Sequence, residues 1–203
     1  AISEDGEGKV NEQMIALLVI GGILAAGYIW YVSLVGRRNK ALEALSSIDV
    51  QLRKRHDLLP NILKLAQRFM THEKDLLDRL TALRSRVAED YSQRNPDDVS
   101  QHLAAERELQ AGMIQFFAVA ENYPELKSDA TIQKAQDTFA EVEGHVSAAR
   151  RFYNAAVTDL NNAVQIFPGS LIAKWAAIKA MPYYEVDDAV RAPVDVDDYM
   201  KAG

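Results

Sequence analysis

The sequence predicts an all-α chain: one membrane-spanning helix near the N-terminus, followed by a domain of long packing helices. Three observations carry that reading. Met14 to Val35 is a run of 22 residues without a charged side chain. After it, apolar residues recur in steps of three and four, the spacing of one helix face. No stretch alternates apolar and polar residues as a half-buried strand does.

Residues 1–13 form a short acidic tail, with Glu4, Asp5, Glu7 and Glu12 against Lys9, a net charge of −3. The run at 14–35 then measures about 33 Å as a helix, enough to cross a hydrocarbon core of about 30 Å. A cleaved signal peptide is the competing reading. Such segments have a basic lead, a shorter apolar region and a small-residue cleavage site. Here the lead is acidic, the run is long and helix continues after it, so an uncleaved anchor is expected. Arg37, Arg38 and Lys40 follow the span, and only Lys9 precedes it. Lys and Arg near a span stay on the cytoplasmic side. The N-terminus is therefore expected outside and the remaining chain inside.

Within the span, Gly21, Gly22, Ala25 and Ala26 cluster at mid-depth, and Tyr28, Trp30 and Tyr31 lie near the inner end, where aromatic side chains suit the headgroup region. Small residues at this spacing allow two helices to approach closely. Gly and Ala are also common in spans generally, so packing and composition both remain as explanations.

Residues 36–182 form the soluble domain, long enough for a core of its own. Leu42, Leu45, Leu52, Leu59, Leu63, Ala66, Met70, Leu77, Leu80 and Val87 hold one frame across Pro60, interrupted by Asp49, His56 and Glu73. The expectation is a continuous helix kinked at Pro60, which removes one backbone bond and crowds the carbonyl of His56. If the anchor runs into it unbroken, a rod from Met14 to about Arg94 exceeds about 100 Å. Asn95-Pro96-Asp97-Asp98 starts another helix, with Asn95 as N-cap, Pro96 in the first turn and two acids at the positive end of the dipole. That helix turns Leu109, Met113, Phe116 and Ala120 inward and stops before Tyr123-Pro124. The clearest seam runs through Ile132, Ala135, Phe139, Val142, Val146, Ala149, Tyr153, Ala156, Leu160, Ala163 and Phe167. Lys174-Trp175-Ala176-Ala177 reads as further helix, and Pro182 as its stop. Residues 183–203 carry −4 and read by composition as a disordered tail. Val186, Val190, Val194, Val196 and Tyr199 give it the means to lie as an extended strap on its own bundle or a neighbour's.

Function classes are narrowed mainly by exclusion. Cysteine is absent, which removes disulfide frameworks and thiolate metal or redox sites. Di-iron bundles need Glu-x-x-His on two helices, and that motif does not occur, so no metal is expected. There is no nucleophile elbow and no Gly-rich phosphate loop, so no catalytic residue and no cofactor is assigned. The net charge of −6 does not suit nucleic acid. The bases at 37–59 suit the lipid bilayer, whose inner leaflet is anionic.

Several blocks together resemble the LemA family. They are Arg38-Asn39-Lys40 with Ser47 through Asn61 (SIDVQLRKRHDLLPN), His72-Glu73-Lys74, Tyr123-Pro124-Glu125-Leu126-Lys127, Ala149 through Asn154, and Phe167-Pro168-Gly169-Ser170-Leu171-Ile172-Ala173. The resemblance implies a bacterial inner-membrane protein with a short external N-terminus and a cytoplasmic antiparallel four-helix bundle. It implies no established enzymatic activity, and a link to membrane organisation, envelope stress or a membrane protease. Arg55, Asp57, Pro60, Asn61, Arg150, Arg151 and Pro168 stand in these blocks as structural positions. Asp57 and Asn61 are expected to satisfy the backbone groups freed by Pro60, and Arg55 to pair with an acid on a neighbouring helix. A hinge or docking notch at the kink is the functional alternative. One of Arg150 and Arg151 must face out of the seam. The expected function is a non-enzymatic protein that self-associates through anchor, bundle and tail into a homo-oligomer that organises or shapes the inner membrane. The alternative is an adaptor for a membrane protease or an envelope-stress system.

Overall fold

A computed structural model describes residues 4–185 of the chain, and everything there is helix, turn or extended connection. Helix α1 runs from Glu4 to Phe69 without a break, α2 from Lys74 to Val87, α3 from Pro96 to Ala120, the short α4 from Pro124 to Lys127, α5 from Ala130 to Gln165 and α6 from Gly169 to Trp175. The 66 residues of α1 make a rod of about 100 Å. Its apolar stretch meets the length and hydropathy of a membrane span, and its most apolar 18 residues are not buried in the protein. The candidate span and the first helix of the bundle are one helix.

Past the span, the chain goes up, down, up and down. Arg37 donates to the carbonyl of Asp159 and Arg55 pairs with Glu143, which fixes α1 and α5 as antiparallel neighbours. Arg86 pairs with Glu108 and Gly112 lies against Leu80, which fixes α2 and α3 the same way. The all-α bundle with its N-terminal apolar helix is thus the fold that the periodicity predicts. Asn95 caps α3 by accepting from the amide of Asp97 at 3.2 Å, with Pro96 in the first turn.

Four expectations are corrected. First, α1 does continue through Pro60, but the rod does not reach Arg94: the chain reverses at Met70–Glu73, and α2 returns along α1. The frame misleads because a four-residue turn takes up about one helical turn, so Met70 and Leu77 stay in phase across the reversal. Second, Phe167 is 73% exposed, outside the seam. Helix α5 ends at Gln165, where Ile166 takes extended backbone (φ −89°, ψ 135°), and Phe167, the residue before Pro168, is disfavoured in helical geometry. Third, α6 ends at Trp175 and does not carry on through Ala176-Ala177. Ala177 adopts φ 52°, and the amides of Ile178 and Ala177 return to the carbonyls of Ala173 and Lys174, a Schellman stop. Fourth, Pro182 therefore terminates no helix; residues 178–185 have no regular secondary structure. They lie on this protein's own bundle, with Ile178, Met181 and Tyr184 buried. The strap proper, from Val186 to Tyr199, lies outside the described residues.

Candidate functional site

Two apolar clusters fill the bundle, one above the other. The cluster nearer the candidate span is built on Leu34 to Leu52 of α1, Val99 and Leu103 of α3, and Val142 to Leu160 of α5. The distal cluster begins at Leu59 of α1 and takes in Leu109 to Ala120 of α3 and Ile132 to Phe139 of α5. Between them, at the same height on all three helices, sit Arg55, Glu106 and Glu143.

Arg55 is fully buried and reaches Glu106 at 2.6 Å and Glu143 at 2.7 Å; a third bond goes to the backbone carbonyl of Glu106. One guanidinium thereby ties α1 to both α3 and α5, using the fork geometry that suits two carboxylates at once. Gln110 donates to the second oxygen of Glu143 at 2.6 Å. His56 Nε2 approaches the other oxygen of Glu106 at 2.7 Å, and His102 lies 3.8 Å from that same oxygen and 3.7 Å from Asp49. Tyr91 stacks on His102 at 3.9 Å and donates to Asp49 at 2.7 Å, as does Gln93 at 2.8 Å. The loop after α2 is in this way pinned to α1.

Electrostatics follow from burial and partners. Burial alone would raise the Glu106 carboxyl, but His56 and Arg55 together hold it below its ordinary range. Burial lowers His102 against the opposing pull of Glu106 and Asp49, which favours the neutral imidazole. Burial beside Asp49 pushes the Tyr91 phenol far up, so it acts as a hydrogen-bond donor. Next to these groups opens a cavity of about 480 Å³ edged by Arg53, Asp57, Arg84, Glu89 and Asp90. Charges of both signs line it. A general acid or base needs a pKa near the working pH, and Glu106 is held away from it. Among the described residues no group of three His, Asp or Glu is placed to hold a metal ion. The arrangement suits setting the register of three helices, a role buried ionic groups fill in some folds.

The positions singled out in the sequence fall in different places. Asp57, Pro60 and Asn61 are all exposed, and among the described residues neither Asp57 nor Asn61 makes the side-chain hydrogen bond to the backbone near Pro60 expected of them. Pro60 faces outward, where solvent serves freed backbone groups without a side-chain cap. Arg150 is half-buried with its guanidinium 4.4 Å over the Tyr184 ring, a cation–π pairing, and Arg151 is exposed. Pro168 stands at the N-cap of α6 without a side-chain cap bond. Gly21, Gly22, Ala25 and Ala26 are exposed along the span, with open space beside both glycines.

Sequence reasoning missed Glu106, Glu143, Asn154 and Asn161. The two asparagines, seven apart on one face of α5, each hold a residue of the 178–185 segment by both its N–H and its C=O. Asn161 pairs with the N–H and C=O of Met181 at 2.9 and 3.0 Å, and Asn154 with those of Tyr184 at the same distances. Tyr153 adds a bond to the carbonyl of Pro182 at 2.7 Å. A Glu in an apolar frame, at Val99, Leu103, Glu106, Leu109 and Met113, was the signal for the buried acid.

The sequence profile of the LemA family matches residues 44–197, which takes in the ionic layer, both asparagine staples and α6. No curated protein matches the chain.

Proposed function

This chain belongs to the LemA family, not a known family of enzymes, and from that premise we propose that it is a non-enzymatic membrane organiser. Copies self-associate through the anchor and the rod, with the bundle in the cytoplasm and the N-terminus outside, to organise or shape a bacterial inner membrane. The observation that carries this reading is the unbroken helix from span to bundle. With no hinge between them, pairing of spans fixes the spacing and direction of the bundles, which a flexible linker would not do. The open faces of Gly21 and Gly22 supply a surface for that pairing.

Size and topology test it. In mild detergent the full-length protein is expected as a large uniform particle by light scattering, and deleting residues 186–203 is expected to loosen it. A small particle that grows only when a second protein is added overturns self-association and favours the adaptor. Because the chain has no cysteine, Ser3→Cys and Lys127→Cys report sidedness cleanly. An impermeant maleimide applied outside should label the first and spare the second; labelling of the second reverses the orientation.

A further inference from the structure

The corner where α5 meets α6 exposes four large apolar side chains in ten residues: Ile166, Phe167, Leu171 and Trp175, the last 83% exposed. Single exposed apolar residues are ordinary, but a contiguous set calls for a partner. Its height along the molecule identifies that partner. Helices α1 and α5 are antiparallel with equal rise, and Asp159 lies opposite Arg37. Seven residues further along α5, Ile166 is therefore level with Trp30, inside the apolar span. Two contacts agree: a methyl at Gly169 would lie 3.7 Å from the Trp30 ring, and Trp175 meets Tyr31 edge-on at 6.4 Å. Leu34, although within the apolar run, is buried by the bundle. The end of the bundle thus reaches the depth at which the span is still apolar. Lys174 and Lys179 stand exposed nearby, placed for the anionic headgroups of the same leaflet.

We infer that the Ile166–Trp175 corner is a second membrane contact, a foot whose apolar side chains enter the headgroup and upper acyl region of the leaflet from which α1 emerges. The inference rests on α1 spanning the bilayer. Interfacial insertion of this kind joins shallow apolar burial to attraction between bases and anionic lipid. With the foot down, the rod has two attachment points and a fixed tilt. The foot also wedges one leaflet only, which is the asymmetry a membrane-shaping protein needs.

The test uses full-length protein in vesicles of phosphatidylcholine and phosphatidylglycerol. In the Trp30→Phe variant, Trp175 is the sole tryptophan. Lipids brominated close to the headgroup should quench it more than lipids brominated near the chain end, and vesicles should shield it from acrylamide. Quenching by acrylamide without any by bromine overturns the foot, because Trp175 is then in water. Shielding from both quenchers also overturns it, because a second copy then covers the corner. Leu171→Cys carrying a polarity-sensitive dye reads the same position should Trp30→Phe fold poorly. Alkaline carbonate extraction of the same vesicles separates the premise from the inference. Extracted protein rejects the anchor, whereas retained protein with a wet Trp175 rejects the foot alone.

Discussion

Removing Arg55 should be far more damaging than removing Arg55 and Glu106 together. In Arg55→Met the aliphatic stem is kept, so packing changes little and the effect is electrostatic. The two acids left behind are not equivalent. Glu143 is 19% exposed and keeps its bond from Gln110, so it rehydrates. Glu106 is fully buried and is left with His56 and His102 alone. Breaking one side of a buried pair costs about 3–5 kcal/mol, whereas exchanging both sides for apolar groups is near neutral. The rehydrated Glu143 and the contact with His56 put Arg55→Met at the low end, about 3 kcal/mol. Arg55→Met/Glu106→Leu should return to within about 1 kcal/mol of the parent, a coupling of about 2 kcal/mol or more. Urea unfolding in micelles, followed by helix circular dichroism with the slope checked for constancy, measures all three. If the single variant loses less than about 1 kcal/mol, or the double variant is worse than the single, the ionic layer does not act as described.

Three further outcomes follow from the same geometry. Asn161→Ala strands both backbone groups of Met181 and should cost about 1–3 kcal/mol; amide exchange at Met181 should accelerate while that of α3 stays slow. Ala177→Gly relieves a left-handed residue and should stabilise the protein by about 1 kcal/mol in the same unfolding assay; a loss would mean that the α6 stop is held by something other than backbone strain. Acid should destabilise the bundle in two stages, read by thermal unfolding. His102 is depressed from 6.5, so below that pH the unfolded chain binds the extra proton and stability falls. Glu106 is depressed from 4.5, so its contribution is present above that value and is lost as pH falls through its lower folded value. His102→Gln should flatten the first stage and leave the second.

Much of the fold was legible because helix periodicity and caps are local. Asn95 and the run from Ile132 to Leu160 needed no tertiary knowledge. The reversal at Met70–Glu73 was not legible, since the turn keeps the apolar frame in phase. The same frame misplaced the polar layer by one residue: Asp49 and His56 read as the inward interruptions, while Ile48 and Arg55 are the buried pair. Adjacent positions lie about 100° apart around a helix, within the width of a core-facing apolar stripe, so only packing against Glu106 and Glu143 decides which of the two is buried. The asparagine staples were hidden for another reason. Their partners are backbone groups of a segment 20 and 30 residues away, and backbone leaves no trace in side-chain pattern.

The unbroken α1 also makes the two membrane-level proposals geometrically compatible. At about 100° per residue, Ala25 lies about 180° and Gly21 about 220° around the helix from Leu34. Leu34 is the residue turned into the bundle, so the Gly21–Ala25 edge of the small-residue cluster points away from α5 and α6. A second span packed on that face approaches from behind the rod and leaves the Trp175 corner open to lipid. Self-association and the lipid contact should then be separable. Gly21→Leu/Ala25→Leu, which blocks close approach, should shrink the detergent-extracted particle and leave quenching of Trp175 by brominated lipid unchanged. If quenching instead rises as the particle shrinks, the corner was covered between copies, and the two surfaces are one.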